Sequence, residues 1–539
     1  KRFSIKQKIL MERNSRLNNG QSSMPLESTV VDNSYRNIGT IAHIDAGKTT
    51  LTERLLFESG AISSIGEVHH GSSIMDFMEE ERKRGITINS ACITFSWKDK
   101  HINLIDTPGH ADFNFEVERS LKVLDGALVI LDGVKGVEAQ TKMVWTQANK
   151  YNLTKILIIN KMDRPGADFL YSIGQAESIL NTKVYLTFIP IIENDSFNGI
   201  IDIMDQKVYR WREVKSSELN ICDLKYEEYP FNEKDFQNSS YTSYIEKTIE
   251  LLSMEDPLIL DKYLDYLDNS SKDNCKKFMV ELKNSVMKSV KANPNNRCLA
   301  IPCSALKNKG IQCVLNSIVE YLPPPVIEFN KTEMPFIFVF KTFNDPKMGM
   351  LSLVRIIAGK VNIGKSLLNP NNNNVSKVSN IYRVRANEYA ELKEASAGDI
   401  VAIAGLSNAL AGENYIDPKS LHLFQSSLIK GYVLKEAVYH ANLEFEKKAD
   451  KEKFMSIIKD LVVEDPSLFF KIDNETGQSV LSGLGELHIE TKLERVKREH
   501  NIKISVSKIS VVFKEICNSN FVKDCCFNQV YKSTQRFFG

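Results

Sequence analysis

Between about Tyr35 and Leu170, short runs of apolar residues alternate with segments whose apolar positions recur at helical spacing. NIGTIAHI, KHINLIDT, GALVILDG and TKILIINKMD predict strands, while TTLTERLLFESG, closing on Gly60, and EAQTKMVWTQANKYN predict helices. Strands apolar at nearly every position need cover on both faces, and the intervening helices supply it. The pattern therefore predicts a parallel sheet in a multidomain α/β chain. RCLAIPCSA at 297–305 reads as a further strand of that sheet, delayed by an insertion at about 206–293. The insertion is more polar and shows helical periodicity in SYIEKTIELLSMEDPLILDKYLDYL and KKFMVELKNSVMKSV.

The pattern changes after Tyr321, where Leu322, Pro323, Pro324 and Pro325 end a helix and begin an extended connection. PFIFVFKTF, LSLVRIIAGKV and DIVAIAGL are rich in β-branched and aromatic residues with glycine turns, which predicts a β-barrel over about 335–425. The asparagine run from Asn369 to Asn374 is low in complexity and predicts a surface loop. Over 435–506 the order strand, helix, two strands, helix, strand predicts a split βαβ, ferredoxin-like domain. The remaining 507–539 reads as the start of a further domain.

A chain of 539 residues exceeds what one core supports, in agreement with several domains. Its 69 basic and 68 acidic residues nearly cancel, which argues against coating nucleic acid by bulk charge but leaves local patches free to touch RNA. No run of about eighteen apolar residues occurs, so no membrane span is predicted. The nine cysteines show neither metal-ligand nor secreted-disulfide spacing and read as free thiols of a reducing compartment. Residues 1–34 are basic and rich in Ser and Asn, with Glu12, Glu27 and Asp32 as their only acids. Such a tail fits the remains of a mitochondrial transit peptide; the alternative is a disordered tail without an address. The chain begins with Lys1 rather than Met, which implies a missing or processed start.

Candidate chemistry gathers at strand ends. Ala42, His43, Ile44, Asp45, Ala46, Gly47, Lys48 and Thr49 follow a strand and open a helix with Thr50. This is the phosphate-binding loop pattern, with Ala in place of its first glycine. Small residues let successive backbone amides face phosphate oxygens; Lys48 adds a point charge, and the Thr49 hydroxyl suits Mg2+. Asp106, Thr107, Pro108 and Gly109 end another strand, with a carboxylate for the Mg2+ region and an amide for the γ-phosphate. Asn160, Lys161, Met162 and Asp163 end a third. The Asp163 carboxylate matches the paired donors on the guanine edge, which adenine lacks; the Lys161 stem can lie along the base, and Asn160 can tie the two loops. Ser304, Ala305 and Leu306 end a later strand and offer an amide to the guanine oxygen. Together they predict GTP/GDP with Mg2+. Thr87, in the segment Arg84, Gly85, Ile86, Thr87 and Ile88, is placed to close over the γ-phosphate and complete the metal shell. His110, directly after Gly109, is placed to orient the attacking water. The adjacent His69 and His70 read as a solvated pair.

RNIGTIAHIDAGKTTLTERLLF, MEEERKRGITI, LIDTPGHADFNFEVERSL and INKMDRPGADF resemble elongation factor G, as do YLPPP, AGDIVAIAGL, EDPSLFFKIDNETGQSVLSGLGELHIE and VVFKE further on. The resemblance runs from about residue 35 to 515. It implies a GTPase domain with an insertion, a β-barrel domain, a split βαβ domain, and hydrolysis through His110 switched on by the large ribosomal subunit, its rRNA and its proteins. Asp76, Phe77 and Met78, with TFSWKDKHINLIDTPGH and GVEAQTKMVWTQANKY, look closer to the second mitochondrial type. That type is similar to ribosome-releasing factor 2 and works with ribosome recycling factor. The expectation is a monomeric ribosome-recycling GTPase of the mitochondrial matrix. The alternatives are a mitochondrial translocating elongation factor and, because the family carries further domains beyond about residue 515, a truncated GTP-dependent ribosome-binding regulator with weak hydrolysis.

Overall fold

The computed structural model describes residues 34–62, 78–212, 225–231, 240–256, 258–268, 272–326, 333–345, 347–385, 388–473, 477–507, 527–531 and 534–538. The tail 1–33, His69, His70, Asp76, Phe77 and most of 507–539 lie outside them. The chain divides into two compact units, Lys1–Lys435 with Lys459–Ser467, and Glu436–Ile458 with Leu468–Gly539.

In the first unit, the order is β1 (Tyr35–Ala42), α1 (Lys48–Glu58), α2 (Glu79–Arg84), β2 (Ala91–Trp97), β3 (Lys100–Asp106), α3 (Asn114–Leu121), β4 (Gly126–Asp132), α4 (Ala139–Lys150), β5 (Thr154–Asn160), α5 (Phe169–Ile179) and β6 (Lys183–Tyr185). After an excursion the chain returns as β11 (Arg297–Pro302) and α9 (Ile311–Tyr321). The sheet order is β2-β3-β1-β4-β5-β11-β6, parallel except for the antiparallel β2. Every residue of β4 and β5 is buried, as their unbroken apolar runs require of central parallel strands. Each fully buried Ile or Leu there contributes roughly 1.5–3 kcal/mol of transfer free energy.

The excursion begins earlier than the predicted insertion at 206 and contains strands as well as helices. β7 (Phe188–Glu193), β8 (Ser196–Asp202), β9 (Lys207–Arg212) and β10 (Lys225–Pro230) form a separate antiparallel sheet. Asn194 and Asp195, both at positive φ, close the first hairpin, a conformation these two residue types tolerate. Three helices follow, α6 (Ser240–Ser253), α7 (Leu258–Asp268) and α8 (Lys272–Ala292). The apolar stretch at 243–267 is thus two helices, and the Asp256 carboxylate accepts the Leu258 amide at 3.1 Å where the second begins.

Residues 336–416 contribute β12 (Phe336–Asp345), β13 (Gly349–Ala358), β14 (Lys360–Asn362), β15 (Ser366–Leu368), β16 (Val375–Lys377), β17 (Asn380–Arg385), β18 (Glu388–Leu392), β19 (Glu394–Ser396), β20 (Ile400–Ala404) and β21 (Asn414–Ile416). Their strands continue the main sheet, β17 meeting β2 where Arg385 pairs with Ile93. The asparagine run forms the β15–β16 connection and is exposed from Asn371 to Asn374, as a surface loop should be, while Asn369 is fully buried. Its carbonyl accepts the Asn373 amide, which folds the run back on itself. A register shift between Val339 and Lys341 puts a β-bulge at Phe340.

A polar seam joins this group to the parallel strands of the sheet. The Asn37 amide donates to the Gly398 carbonyl at 2.8 Å and to Asp125 at 3.0 Å, and Asn103 donates to Asn37 at 2.9 Å and Asp399 at 3.3 Å. Arg355 reaches the Val123 carbonyl and Asp125, each at 2.7 Å. In low-dielectric surroundings such bonds favour one arrangement, since an unmatched partner is costly, although the buried Arg355 Nε has no partner among the described residues.

The second unit holds β22 (Tyr439–Phe445), β23 (Phe469–Ile472), β24 (Ser479–Gly483), β25 (Ile504–Ser507) and the helix α11 (Glu486–His500). The helix α10 (Lys448–Glu464) contributes its residues up to Ile458 to this unit. The sheet is antiparallel throughout, in the order β23-β24-β22-β25. No helix among the described residues is long and apolar enough to cross a membrane.

Candidate functional site

β3, β1, β4, β5 and β11 are consecutive parallel strands, so the loops that leave the C-terminal ends of β1, β3, β5 and β11 share one edge of the sheet. The β1–α1 loop takes its shape from left-handed backbone at Asp45 (φ 62°) and Gly47 (φ 91°). A Cβ on Gly47 would stand 2.4 Å from the Asn160 side-chain nitrogen, so this position needs glycine for space as well as for conformation. The first amides of α1 have no intrahelical partner and form an anion-receptive end.

Asn160 staples the site. Its Nδ2 donates to the Ala46 carbonyl at 2.8 Å, and its Oδ1 accepts the Ala305 amide at 2.9 Å. The Met162 amide reaches the Cys303 carbonyl at 3.1 Å, closing the β5 end onto the β11 end. The Ser304 hydroxyl then donates to the Asp163 carboxylate at 2.5 Å, while Leu306 is exposed and lends its carbonyl to Arg54 at 3.3 Å. Lys161, at φ 64°, pairs with Asp132 at 2.7 Å and donates to the Asp45 carbonyl. Burial alone would raise the Asp132 pKa, but the Lys161 ammonium and the Val134 and Lys135 amides hold it below the usual carboxylate value.

Between the first two loops, Thr49 and Thr87 bring their hydroxyls to 3.1 Å, with the Lys48 ammonium 3.4 Å from Thr87. Asp106 is fully buried; one carboxylate oxygen accepts from Thr40 and from Thr52 at 3.5 Å. The other has no hydrogen-bond partner among the described residues. Burial pushes this carboxyl above its ordinary pKa, against the pull of Lys48 and the two hydroxyls. An orphaned buried oxygen near two hydroxyls and an ammonium fits a divalent cation bound with phosphate, which would favour the ionised form.

Thr107 donates to the Thr40 carbonyl at 2.7 Å and fixes the start of the next loop, which runs through Pro108. A Cβ on Gly109 would lie 3.7 Å from the Ala42 oxygen and the Ile44 Cα, so this loop rests against the phosphate loop. His110 follows, one-third exposed, its Nδ1 3.2 Å from the Asp112 amide that donates to it. In the neutral ring this puts the proton on Nε2 and leaves that nitrogen for a water.

The structure brings together the residue sets expected from the sequence and adds supports that sequence reasoning missed. Glu81, fully buried on α2, accepts the amides of Met78 (3.0 Å), Ile88 (2.9 Å) and Asn89 (2.9 Å), and so holds the segment that carries Thr87. Glu138 pairs with His43, and Gln140 accepts the Ile44 amide at 3.2 Å, so the start of α4 braces the phosphate loop. Glu58 receives Asn308 at 2.5 Å and Gln312 at 2.8 Å, pinning the segment after Leu306. A glutamate inside EEERKR reads as a solvated face by sequence alone. The only signal was its position three residues after Met78, suited to cap its own helix.

Residues 33–324 match the family model of the elongation factor Tu GTP-binding domain; 336–416 match elongation factor G domain 2, and 434–508 match elongation factor G domain III. The chain is 39% identical over 505 residues to elongation factor G of Carsonella ruddii, spanning 91% of this chain and 70% of that protein. It is 39% identical over 510 residues to elongation factor G 1 of Bdellovibrio bacteriovorus, spanning 90% and 69%. A crystal structure of a Thermus thermophilus protein superposes with a TM-score of 0.75 at 24% identity, covering 89% of this chain and 68% of that one; it bears on the fold alone. With a GTP-binding domain over more than half its length and relatives of this identity, the chain belongs to the elongation factor G family of translational GTPases and is a GTP hydrolase.

Proposed function

We propose that this protein is a ribosome-triggered GTPase that disassembles post-termination ribosomes together with ribosome recycling factor in mitochondria. The observation that carries the assignment of the site is the meeting of Lys48, Thr49 and Thr87, with the buried Asp106 carboxyl under the pull of the Lys48 ammonium and the His110 loop lying on the phosphate loop. In this reading the backbone from Ala42 to Thr50 and the Lys48 ammonium hold the phosphates. Asp163, Lys161 and the Ala305 amide read the guanine, and Asn160 keeps the two loops in register. Thr49 and Thr87 would hold Mg2+, with Asp106 behind them; when bound, the ion neutralises phosphate charge. His110 orients water through Nε2 towards the γ-phosphate, and the ribosome holds the ring in place. We read 336–416 as the family's barrel domain and 436–507 as its split βαβ domain.

The recycling assignment is supported by Met78 with its two predecessors, by TFSWKDKHINLIDTPGH and by GVEAQTKMVWTQANKY; the basic tail supports the mitochondrial address. Translocation is the second reading, favoured by the relatives' being elongation factors. The test supplies post-termination ribosomes, recycling factor and GTP, and follows subunit splitting by light scattering beside codon movement of tRNA and mRNA. Splitting without movement supports recycling. Movement without splitting overturns it in favour of translocation.

A further inference from the structure

Lys341 is a lysine in the middle of a strand whose neighbours from Phe336 to Thr342 are all buried, and it is itself only 6% exposed. Burying an ammonium costs several kcal/mol unless it is well paired, so its presence calls for a reason. The bulge at Phe340 supplies the direction. Before it, Ile337 and Val339 belong to the apolar cluster formed by Val354, Ile356 and Val401, while Phe338 faces the core shared with the GTPase sheet. In regular alternation Lys341 would follow Ile337 and Val339 into that apolar cluster. Instead, Lys341 pairs with Leu353, whose side chain lies in the core shared with the GTPase sheet. One extra residue has turned the ammonium towards the GTPase sheet.

There it donates to the Ser90 carbonyl at 3.0 Å, the Ser90 hydroxyl at 3.3 Å and the Glu116 carboxylate at 3.3 Å. The Ser90 hydroxyl also donates to Glu116 at 2.9 Å, and Glu116 is paired with the buried Arg119. Ser90 lies three residues after Thr87, and Glu116 lies on α3, the helix that follows His110. One buried ammonium therefore ties the segment of Thr87 and the helix that follows His110 to β12.

We infer that Lys341 is a positioning residue for GTP hydrolysis, through which the strands after 336 hold Thr87 and His110 in their working arrangement. The inference rests on the reading that those two residues act on GTP. The test uses the full chain as parent, Lys341→Met and Lys341→Arg, and measures single-turnover GTP hydrolysis with and without ribosomes, beside GDP affinity. The expected result is a fall in the hydrolysis rate of about tenfold for Lys341→Met with GDP affinity within about twofold of the parent, and partial recovery in Lys341→Arg. Hydrolysis within twofold of the parent in Lys341→Met overturns the inference, as does a loss of GDP affinity that parallels the loss of rate. If Lys341→Met does not fold, Ser90→Ala removes one partner of the same ammonium and must lower the rate without changing GDP affinity; an unchanged rate there also overturns it. Failure of the underlying reading is separate, because it shows in the parent as hydrolysis that Thr87→Ala and His110→Ala leave intact.

Discussion

Removing the Glu81 carboxylate tests the proposal that the Thr87 segment distinguishes GTP from GDP. Its Oε1 accepts the amides of both Ile88 and Asn89 at 2.9 Å, in a position without solvent access. A hydrogen bond to a charged group contributes about 1.5–3 kcal/mol, so even at the lower end the two bonds hold the Thr87 segment by about 3 kcal/mol. That corresponds to roughly 150-fold in the equilibrium between held and released segment. We predict that Glu81→Ala weakens binding of a non-hydrolysable GTP analogue by up to that factor while leaving GDP affinity within about threefold, since only the γ-phosphate state uses Thr87. Glu81→Gln keeps one acceptor oxygen for Ile88 and Asn89 but faces Met78 with a donor, so its loss is intermediate. Stopped-flow association and dissociation of fluorescent nucleotides gives both affinities. A Glu81→Ala protein that keeps the parent's GTP-to-GDP preference would refute the assignment of Thr87 as well as the energetic argument.

His110→Ala is expected to bind GTP as the parent does and to lose ribosome-stimulated phosphate release; normal stimulated turnover would remove His110 from the mechanism. Asp163→Asn should shift preference from GTP towards xanthosine triphosphate, because an amide cannot accept from both guanine donors, and competition binding with the two nucleotides decides it. Asp202 gives a pH prediction. Burial, then the neighbouring Asp205, pushes its carboxyl up to about 7 against the pull of Lys283. From about pH 4 to about 7 the folded protein keeps a proton that the unfolded chain has released, so stability falls across that window and levels off above it. Asp202→Asn removes this loss, and urea unfolding should show it more stable than the parent by roughly 2–4 kcal/mol at pH 8, with the difference shrinking towards pH 4; a difference independent of pH would contradict this account.

The central strands were legible because parallel strands covered on both faces leave unbroken apolar runs, as in GALVILDG. The loops that meet through Asn160 were legible because each is a short run at a strand end whose expected chemistry requires those residue types. The sheet from Phe188 was not read, although Asn194 and Asp195 between apolar runs carried a hairpin signal; its strands are short and sit beside strongly helical sequence. Lys341 and Glu116 stand 225 residues apart, and nothing local announces their pairing. The bulge at Phe340 was equally silent, because FIFVF is apolar at every position and a change of parity leaves the pattern unaltered. Glu81 was hidden in the opposite way, inside a charged run where one glutamate looks like the next.

The polar seam through Asn37, Asn103, Asp125, Arg355 and Asp399 has a mechanical consequence. Sliding β12–β21 past the GTPase sheet would break several buried, directional bonds at once, each with a different partner geometry, and no intermediate position re-forms them. A shift of β12–β21 that kept these bonds would have to carry β1, β3 and the Asp125 loop with it as one piece.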